Sequence, residues 1–258
     1  MNDTEYLPTP PLPDIEALRR SNARLEEFAH IASHDLRAPL RAITSLIEWI
    51  GEDLVAEFGP LPEQIGNDLT EVAAQSVRMT KMVDDLLDYS QIGQAQQAPR
   101  VFDPRDTVLE CLKLLVVPDG FTVTVAEELP QVCCTPIEFS LCLRNIVSNS
   151  IKHHDRPTGR IQIDGWDKDG FGWFRVRDNG PGVDQKFADQ IFEMFRTLDS
   201  SRGSGIGLGM VRKTVQHYGG HAQFEPNPKG RGSDFLFSFP QTPRGITEVC
   251  PVVVRAAL

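Results

Sequence analysis

Apolar positions fall into two long helical rhythms in the first third of the chain and into shorter, mixed runs after it. Leu18, Asn22, Leu25, Ala29, Ala32, Leu36, Pro39, Ile43, Leu46 and Ile50 alternate spacings of four and three, close to a heptad seam. A second line (Phe28, Ile31, Leu40, Ile47, Leu54) widens that seam into the broad face of a bundle helix. The pattern stops at Phe58-Gly59-Pro60-Leu61-Pro62, a strong helix break. It resumes through Ile65, Leu69, Val72, Ser76, Met79, Val83 and Leu86 and fades near residues 89–93. These rhythms predict a helical hairpin over residues 14–93. One hairpin has too wide an apolar face to stand alone in water, so two are expected to pair into a four-helix bundle, making a homodimer.

Beyond it the texture changes. Residues 94–100 are polar and read as a linker. The alternation over 121–126 predicts a strand, and 136–152 a helix. Two strands over 161–166 and 172–177 flank a turn at Lys168-Asp169-Gly170. Residues 208–218 read as a helix and 233–239 as a closing strand. Strands and helices do not alternate strictly, so residues 101–240 are expected to form an α/β sandwich; the whole chain is α+β. Residues 1–13, with Pro8, Pro10, Pro11 and Pro13, read as a tail or linker remnant. In the C-terminal tail, 241–258, residues 249–254 could add an edge strand.

Charge narrows the function classes. The net charge is -10, and residues 1–99 carry all of it, with 17 acidic against seven basic side chains. Nonspecific nucleic-acid binding runs on clustered Lys and Arg and is excluded by that balance. No apolar run of roughly 18 residues is present, so no membrane insertion is expected. The acidic N-terminus is unlike a secretion signal, which points to the cytoplasm. Cys111, Cys133, Cys134, Cys142 and Cys250 are odd in number and lack C-x-x-C spacing. A reducing compartment with neither structural disulfides nor a zinc site is expected.

Four segments carry chemistry. His34 follows Ala32 of the seam by two positions, about 200° around a helix, so it should face away from the bundle core. Alone it would be an ordinary surface histidine. Asp35 beside it can bond one imidazole nitrogen and leave the other nucleophilic. Pro39 offers no N–H to the carbonyl four residues back, so a kink is expected just past the histidine. Far downstream, Asn145 and Asn149 share one helical face. Asp178-Asn179-Gly180-Pro181-Gly182 closes an apolar strand, and Gly203, Gly205, Gly207 and Gly209 alternate immediately before a helix. A glycine loop feeding a helix N-terminus suits phosphate, but the P-loop's Gly-Lys-Ser/Thr is missing.

In this order the segments Phe28 to Leu40, Leu143 to His153, Asp178 to Gly182 and Gly203 to Gly209 resemble the H, N, G1 and G2 boxes of sensor histidine kinases. The resemblance spans roughly residues 20–240. It implies that His34 accepts the γ-phosphoryl group of ATP, with Asp35 as base, and passes it to an aspartate in the receiver domain of a response regulator. It implies Mg²⁺ held by Asn149, with Asn145 nearby and Lys152 near the phosphates. His153 takes the place usually held by Tyr or Phe beside adenine. Asp178 would accept from the adenine amino group, with Gly180 and Gly182 letting backbone approach the base. Gly203, Gly205, Gly207, Leu208 and Gly209 would line the phosphate loop. Ile191-Phe192-Glu193-Met194-Phe195-Arg196 is similar to the F box of the ATP lid, and either Arg196 or Arg202 would reach the phosphates. Gly230 to Phe235 fits the last glycine box. Many family members carry Thr or Asn four residues after the histidine to position a hydrolytic water; here Ala38 stands there, which argues against phosphatase activity. His30, one turn before His34, reads as a surface residue and not as half of a metal pair.

Two competitors remain. A non-enzymatic phosphotransfer scaffold would predict an eroded Asn149, Asp178 or glycine loop, and none is eroded. A gyrase-type ATP switch leaves His34-Asp35 unexplained. The signal would enter through a separate sensory protein or a missing sensor domain.

Overall fold

The structure, a computed structural model, describes residues 15–93, 97–196, 204–227 and 230–243; for residues 15–30 and for His34 the backbone alone is described. Two long helices lead: α1, Ile15–Phe58, and α2, Glu63–Gln91. They end and begin where the Gly59-Pro60 break and Pro62 demand. The expected kink coincides with no break, since α1 continues as helix through Pro39. Polar contacts set the register between them. The Arg37 guanidinium donates to Asp84 at 2.6 and 2.8 Å, the Thr44 hydroxyl lies 2.9 Å from that of Ser76, and Ser76 donates to the Leu40 carbonyl at 3.1 Å. Leu40 and Leu87 are buried in the hairpin, whereas Leu46, Trp49 and Ile50 on α1 and Val72 and Met79 on α2 stand about half exposed.

The rest of the chain is a sandwich. Strands β2 (Phe121–Val125), β4 (Gly159–Lys168), β5 (Phe171–Asp178), β6 (Ala222–Pro226) and β7 (Ser233–Pro240) form one sheet in the order β2-β4-β5-β7-β6. Its one parallel pair is β2 with β4. Strands β1 (Arg100–Phe102) and β3 (Val132–Cys134) make a separate antiparallel pair. Helices α3 (Arg105–Leu114), α4 (Pro136–Lys152) and α5 (Gly207–His217) pack on the sheet's inner face.

Period-two alternation sends Ile161, Ile163, Phe174 and Val176 inward to meet Phe139 of α4 and Val211 and Val215 of α5. Phe139 touches Phe174, Phe237 and Phe239 with ring centroids 5.0 to 5.9 Å apart, and all four are fully buried. Each such side chain contributes about 1.5–3 kcal/mol by leaving water. Helix α4 opens on a threonine N-cap: the Thr135 hydroxyl accepts from the Glu138 amide at 3.3 Å and donates to the Glu138 carboxylate at 2.7 Å. Cys111, Cys133, Cys134 and Cys142 are free thiols in this core. Burial raises the pKa of each, so they remain protonated.

The predicted helix over 136–152 matches α4 end for end. The strands over 161–166 and 172–177 are each longer at both ends, because their pairing carries to the Asp169-Gly170 turn, where both residues have positive φ. The linker is a residue shorter than expected, since Arg100 already pairs with Cys134. Expectations for residues 1–13 and 249–254 fall outside the described residues. Among the described residues no helix is long and apolar enough to cross a membrane.

Candidate nucleotide site

A cavity of 390 Å³ opens where α4, the end of β5 and the start of α5 converge. That volume is in the range of small-molecule sites. Helix α4 contributes Asn145, Asn149 and Lys152, with His153 just past its end. The three helical positions lie on one face, as their spacing of three and four requires.

Asp178 closes β5 and is buried. Its Oδ1 accepts from the backbone amides of Gly180 at 2.9 Å and Ser233 at 3.2 Å. Burial raises its pKa, and those two amides act against the shift by favouring the carboxylate. The backbone of Gly232 lies against Asp178 so closely that a Cβ there would fall 1.9 Å from the Asp178 carbonyl oxygen. The loop before β7 can therefore approach the carboxylate only with glycine at that position. The Ser150 hydroxyl, also lining the cavity, lies beside this carboxylate and joins the two amides in favouring its charged form. A buried carboxylate at the mouth of a polar-edged cavity is suited to accept from a polar ring edge entering here.

The phosphate end is built by α5. A Cβ on Gly207 would lie 2.9 Å from Asn145 Oδ1, so the missing side chain lets Asn145 sit against the first turn of α5. Asn145 donates its amide to the Leu141 carbonyl at 2.9 Å, which fixes the orientation of its oxygen. Gly205 and Leu208 line the cavity, and the Gly205 carbonyl is held by the Phe195 amide at 3.0 Å. Burial lowers the pKa of Lys152, and the neighbouring Lys81 acts in the same direction. Asn149 offers a hard amide oxygen of the kind Mg²⁺ takes; that ion uses few protein ligands and completes its shell with phosphates and water. The residues present thus fit a magnesium–nucleotide.

The predicted residues do not all meet the cavity. Asn145, Asn149, Lys152, His153, Asp178, Gly182, Arg196, Gly205, Gly207 and Leu208 line it. Gly180 acts from behind through its amide, and Gly209 packs against Met194. Arg196 is paired to Glu193 at 3.1 Å, in competition with any phosphate. Arg202, Gly203 and the side chains of His30 and His34 lie outside the described residues. Asp35 and Ala38 are exposed on α1.

A model for the "His Kinase A (phospho-acceptor) domain" matches residues 24–95, and one for the "Histidine kinase-, DNA gyrase B-, and HSP90-like ATPase" matches residues 134–243. The chain belongs to the sensor histidine kinases. The methanogenesis regulatory histidine kinase FilI of Methanothrix harundinacea is 33% identical over 88% of this chain and 26% of its own length. The fold resembles that of full-length ShkA bound to AMPPNP (TM-score 0.62, 22% identity, 83% of this chain and 45% of that one). It also resembles the histidine kinase ThkA in complex with the response regulator TrrA (TM-score 0.60, 21% identity, 91% and 68%). This kinase core spans less than a third of the length of curated relatives such as FilI.

Sequence reasoning missed three contributors to the kinase site. Lys81 and Asp85 of α2 form one wall of the cavity. Ser204 donates to Asp85 at 2.7 Å. His154 is buried one residue past the predicted ring: its Nδ1 accepts from the Arg156 amide at 3.1 Å, so Nε2 carries the proton and donates to Asn179 Oδ1 at 3.2 Å. Asn179 in turn accepts from the Arg160 amide at 2.6 Å, which pins the loop after Asp178. No local pattern could reveal the first two, because their cavity neighbours, Lys152 for Lys81 and Ser204 for Asp85, lie far along the chain.

Proposed function

We propose that this chain phosphorylates itself on His34 with ATP and hands the phosphoryl group to an aspartate of a response regulator. One observation carries the reading: a phospho-acceptor match that includes His34 shares the chain with a cavity holding Asn145, Asn149 and Asp178 against a glycine-rich helix start. Adenine lies at Asp178, whose carboxylate accepts from its amino group. The phosphates extend toward Asn149, Lys152 and the loop at Gly205. Asn149 would hold Mg²⁺, which would supply charge neutralisation on the phosphates.

The step balances simply. An imidazole nitrogen lone pair of His34 bonds the γ-phosphorus as the bond to the β,γ-bridging oxygen breaks, and that electron pair leaves with ADP. The other ring proton passes to Asp35. A receiver aspartate then displaces the imidazole; the crystallised pairing of ThkA with its regulator supports such a partner.

The kinase works as a homodimer. Leu36, Ile43, Leu46 and Ile50 on α1, and Ile65, Val72 and Met79 on α2, remain 42–52% exposed at heptad spacing, which a second hairpin would cover. Residues 14–93 form the dimerising phosphotransfer unit and 101–240 the ATP-binding unit. A cytoplasmic setting agrees with the free thiols. Incubation with γ-labelled ATP and Mg²⁺ tests the reading: acid-labile, base-stable label is expected on the wild type and absent from His34→Gln. Label persisting in that variant overturns the assignment of His34.

A further inference from the structure

The ATP-binding region does not hang free of the hairpin. Ile92, at the end of α2, is buried with Ile206 and Met210, and Met82, Tyr89 and Leu141 pack around them. The Gly93 amide donates to Glu138 at 3.1 Å, and Lys213 donates to the Tyr89 carbonyl at 2.9 Å. Ser204, at the edge of the phosphate loop, donates to Asp85 at 2.7 Å. Arg144, the neighbour of Asn145, lies 3.9 Å from Asp88. The footprint on α2 thus runs from Lys81 to Ile92.

The hairpin register fixes what lies level with that footprint. Arg37 meets Asp84. In an antiparallel pair, one turn back along α1 corresponds to one turn forward along α2. His34, one turn before Arg37, is therefore level with residues 87–88, inside the footprint. Asp84 and Asp85 are consecutive: the first holds this chain's own α1, the second this chain's own phosphate loop. One turn of α2 thus joins the two halves of the reaction within a single polypeptide.

We propose that phosphoryl transfer is intramolecular within the dimer, each ATP site serving His34 of its own chain, and that Asp85 is the positioning residue that seats the site on α2 through Ser204. This rests on the kinase reading above. The linkage favours it over transfer between chains, because Ile92 and Gly93 anchor the ATP-binding region directly at the end of its own hairpin.

Mixed dimers test the direction. Chains carrying His34→Gln and Asn149→Ala, on different affinity tags, are co-expressed, purified through both tags and incubated with γ-labelled ATP. Neither homodimer can be labelled. Intramolecular transfer leaves the mixed dimer unlabelled too; label on the Asn149→Ala chain overturns the proposal. If the tags do not co-purify, a wild-type labelling rate per chain that is independent of protein concentration supports the proposal, and one that rises with concentration overturns it. A wild type that takes no label at all refutes the kinase reading instead, which keeps the two failures distinct.

Asp85→Ala and Ser204→Ala test the seat. Each is expected to slow labelling about fivefold at saturating nucleotide, as the loss of one hydrogen bond would; the saturated rate is the readout because both residues also border the cavity. Wild-type rates in both variants, or weakened affinity with an unchanged saturated rate, would remove Asp85 from the positioning role.

Discussion

The two halves of this kinase core bury their apolar residues in opposite ways. The ATP-binding region closes on itself: Phe139, Phe174, Phe237 and Phe239 are wholly inaccessible, and α3, α4 and α5 cover the sheet's inner face. The hairpin does not. Leu40 and Leu87 are buried between α1 and α2, but Trp49 is 59% exposed and Leu46 52%. The first half is a complete core, whereas the second presents half of one. A surface of that kind marks an interaction site, and its heptad spacing supports the proposed pairing with a second hairpin.

Substitutions that act on one half alone should separate them, and the largest effect lies in the complete core. Phe139→Ala leaves a cavity among three phenylalanines and should cost about 3–5 kcal/mol. Its thermal unfolding should shift downward equally at every protein concentration. Leu46→Asp should leave that transition in place and abolish a concentration-dependent one, with sedimentation showing a single-chain species. A Leu46→Asp variant that remained dimeric would break the contrast.

Asp178 offers the next effect, and here function opposes stability. Burial raises its pKa in the folded state, so the folded chain binds this proton more tightly than the unfolded one. The stability linked to it is complete below the unfolded pKa, declines as pH rises through the folded value, and is lost above it. Asp178→Asn removes a buried charge and should raise the melting temperature at pH 7, while ATP affinity falls about tenfold or more for loss of the adenine acceptor. The stabilisation should vanish in acid. Calorimetry across pH and nucleotide titration check the two signs separately.

Gly207 gives a smaller, local effect. A Cβ there would press on Asn145 Oδ1 at 2.9 Å, and that amide is already committed to Leu141. Alanine should therefore rotate Asn145 and weaken magnesium–nucleotide binding severalfold without lowering the melting temperature, since alanine favours helix at this first position of α5. Equal binding by Gly207→Ala would detach Asn145 from the site.

What was legible in the chain follows the same division. Helices α1, α2 and α4 stood out because period and breaks are local: Gly59-Pro60 ended one pattern, and the run from Pro136 to Lys152 read as a helix by itself. The glycine boxes were legible because close backbone approach leaves glycine as the only tenant, as at Gly232 against Asp178. Strands β1, β3 and β6 were missed: β1 and β3 are three residues each, and β6 is buried at Phe224 alone, so neither alternation nor length could mark them. The α2 wall of the cavity was hidden for another reason. Lys81 and Asp85 look in the sequence like an exposed i,i+4 pair; they do pair at 3.2 Å, but the Asp85 side chain is only 14% exposed, because the packing of Ile92 on Ile206 brings the phosphate loop against it.

The smallest expected change concerns the exposed turn after His34. Ala38 stands one turn beyond the histidine, exposed, and offers no oxygen to orient a water near a partner's phosphoaspartate. The kinase should therefore phosphorylate its regulator yet hydrolyse the phosphoregulator poorly. Threonine at this position would supply a hydroxyl at little cost to the fold, because its side chain points into solvent and a mid-helix β-branched residue loses only a few tenths of a kcal/mol. Orienting a water is an entropic aid, so the gain should be modest. The measurement is the decay of purified phosphoregulator with and without kinase plus ADP, in a His34→Gln background that removes back-transfer to ADP. Ala38→Thr should shorten the half-life relative to Ala38 in that background. Rapid decay with Ala38 in place would mean that another group holds the water, and Asp35, exposed on the same turn as the histidine, would be the next residue to replace.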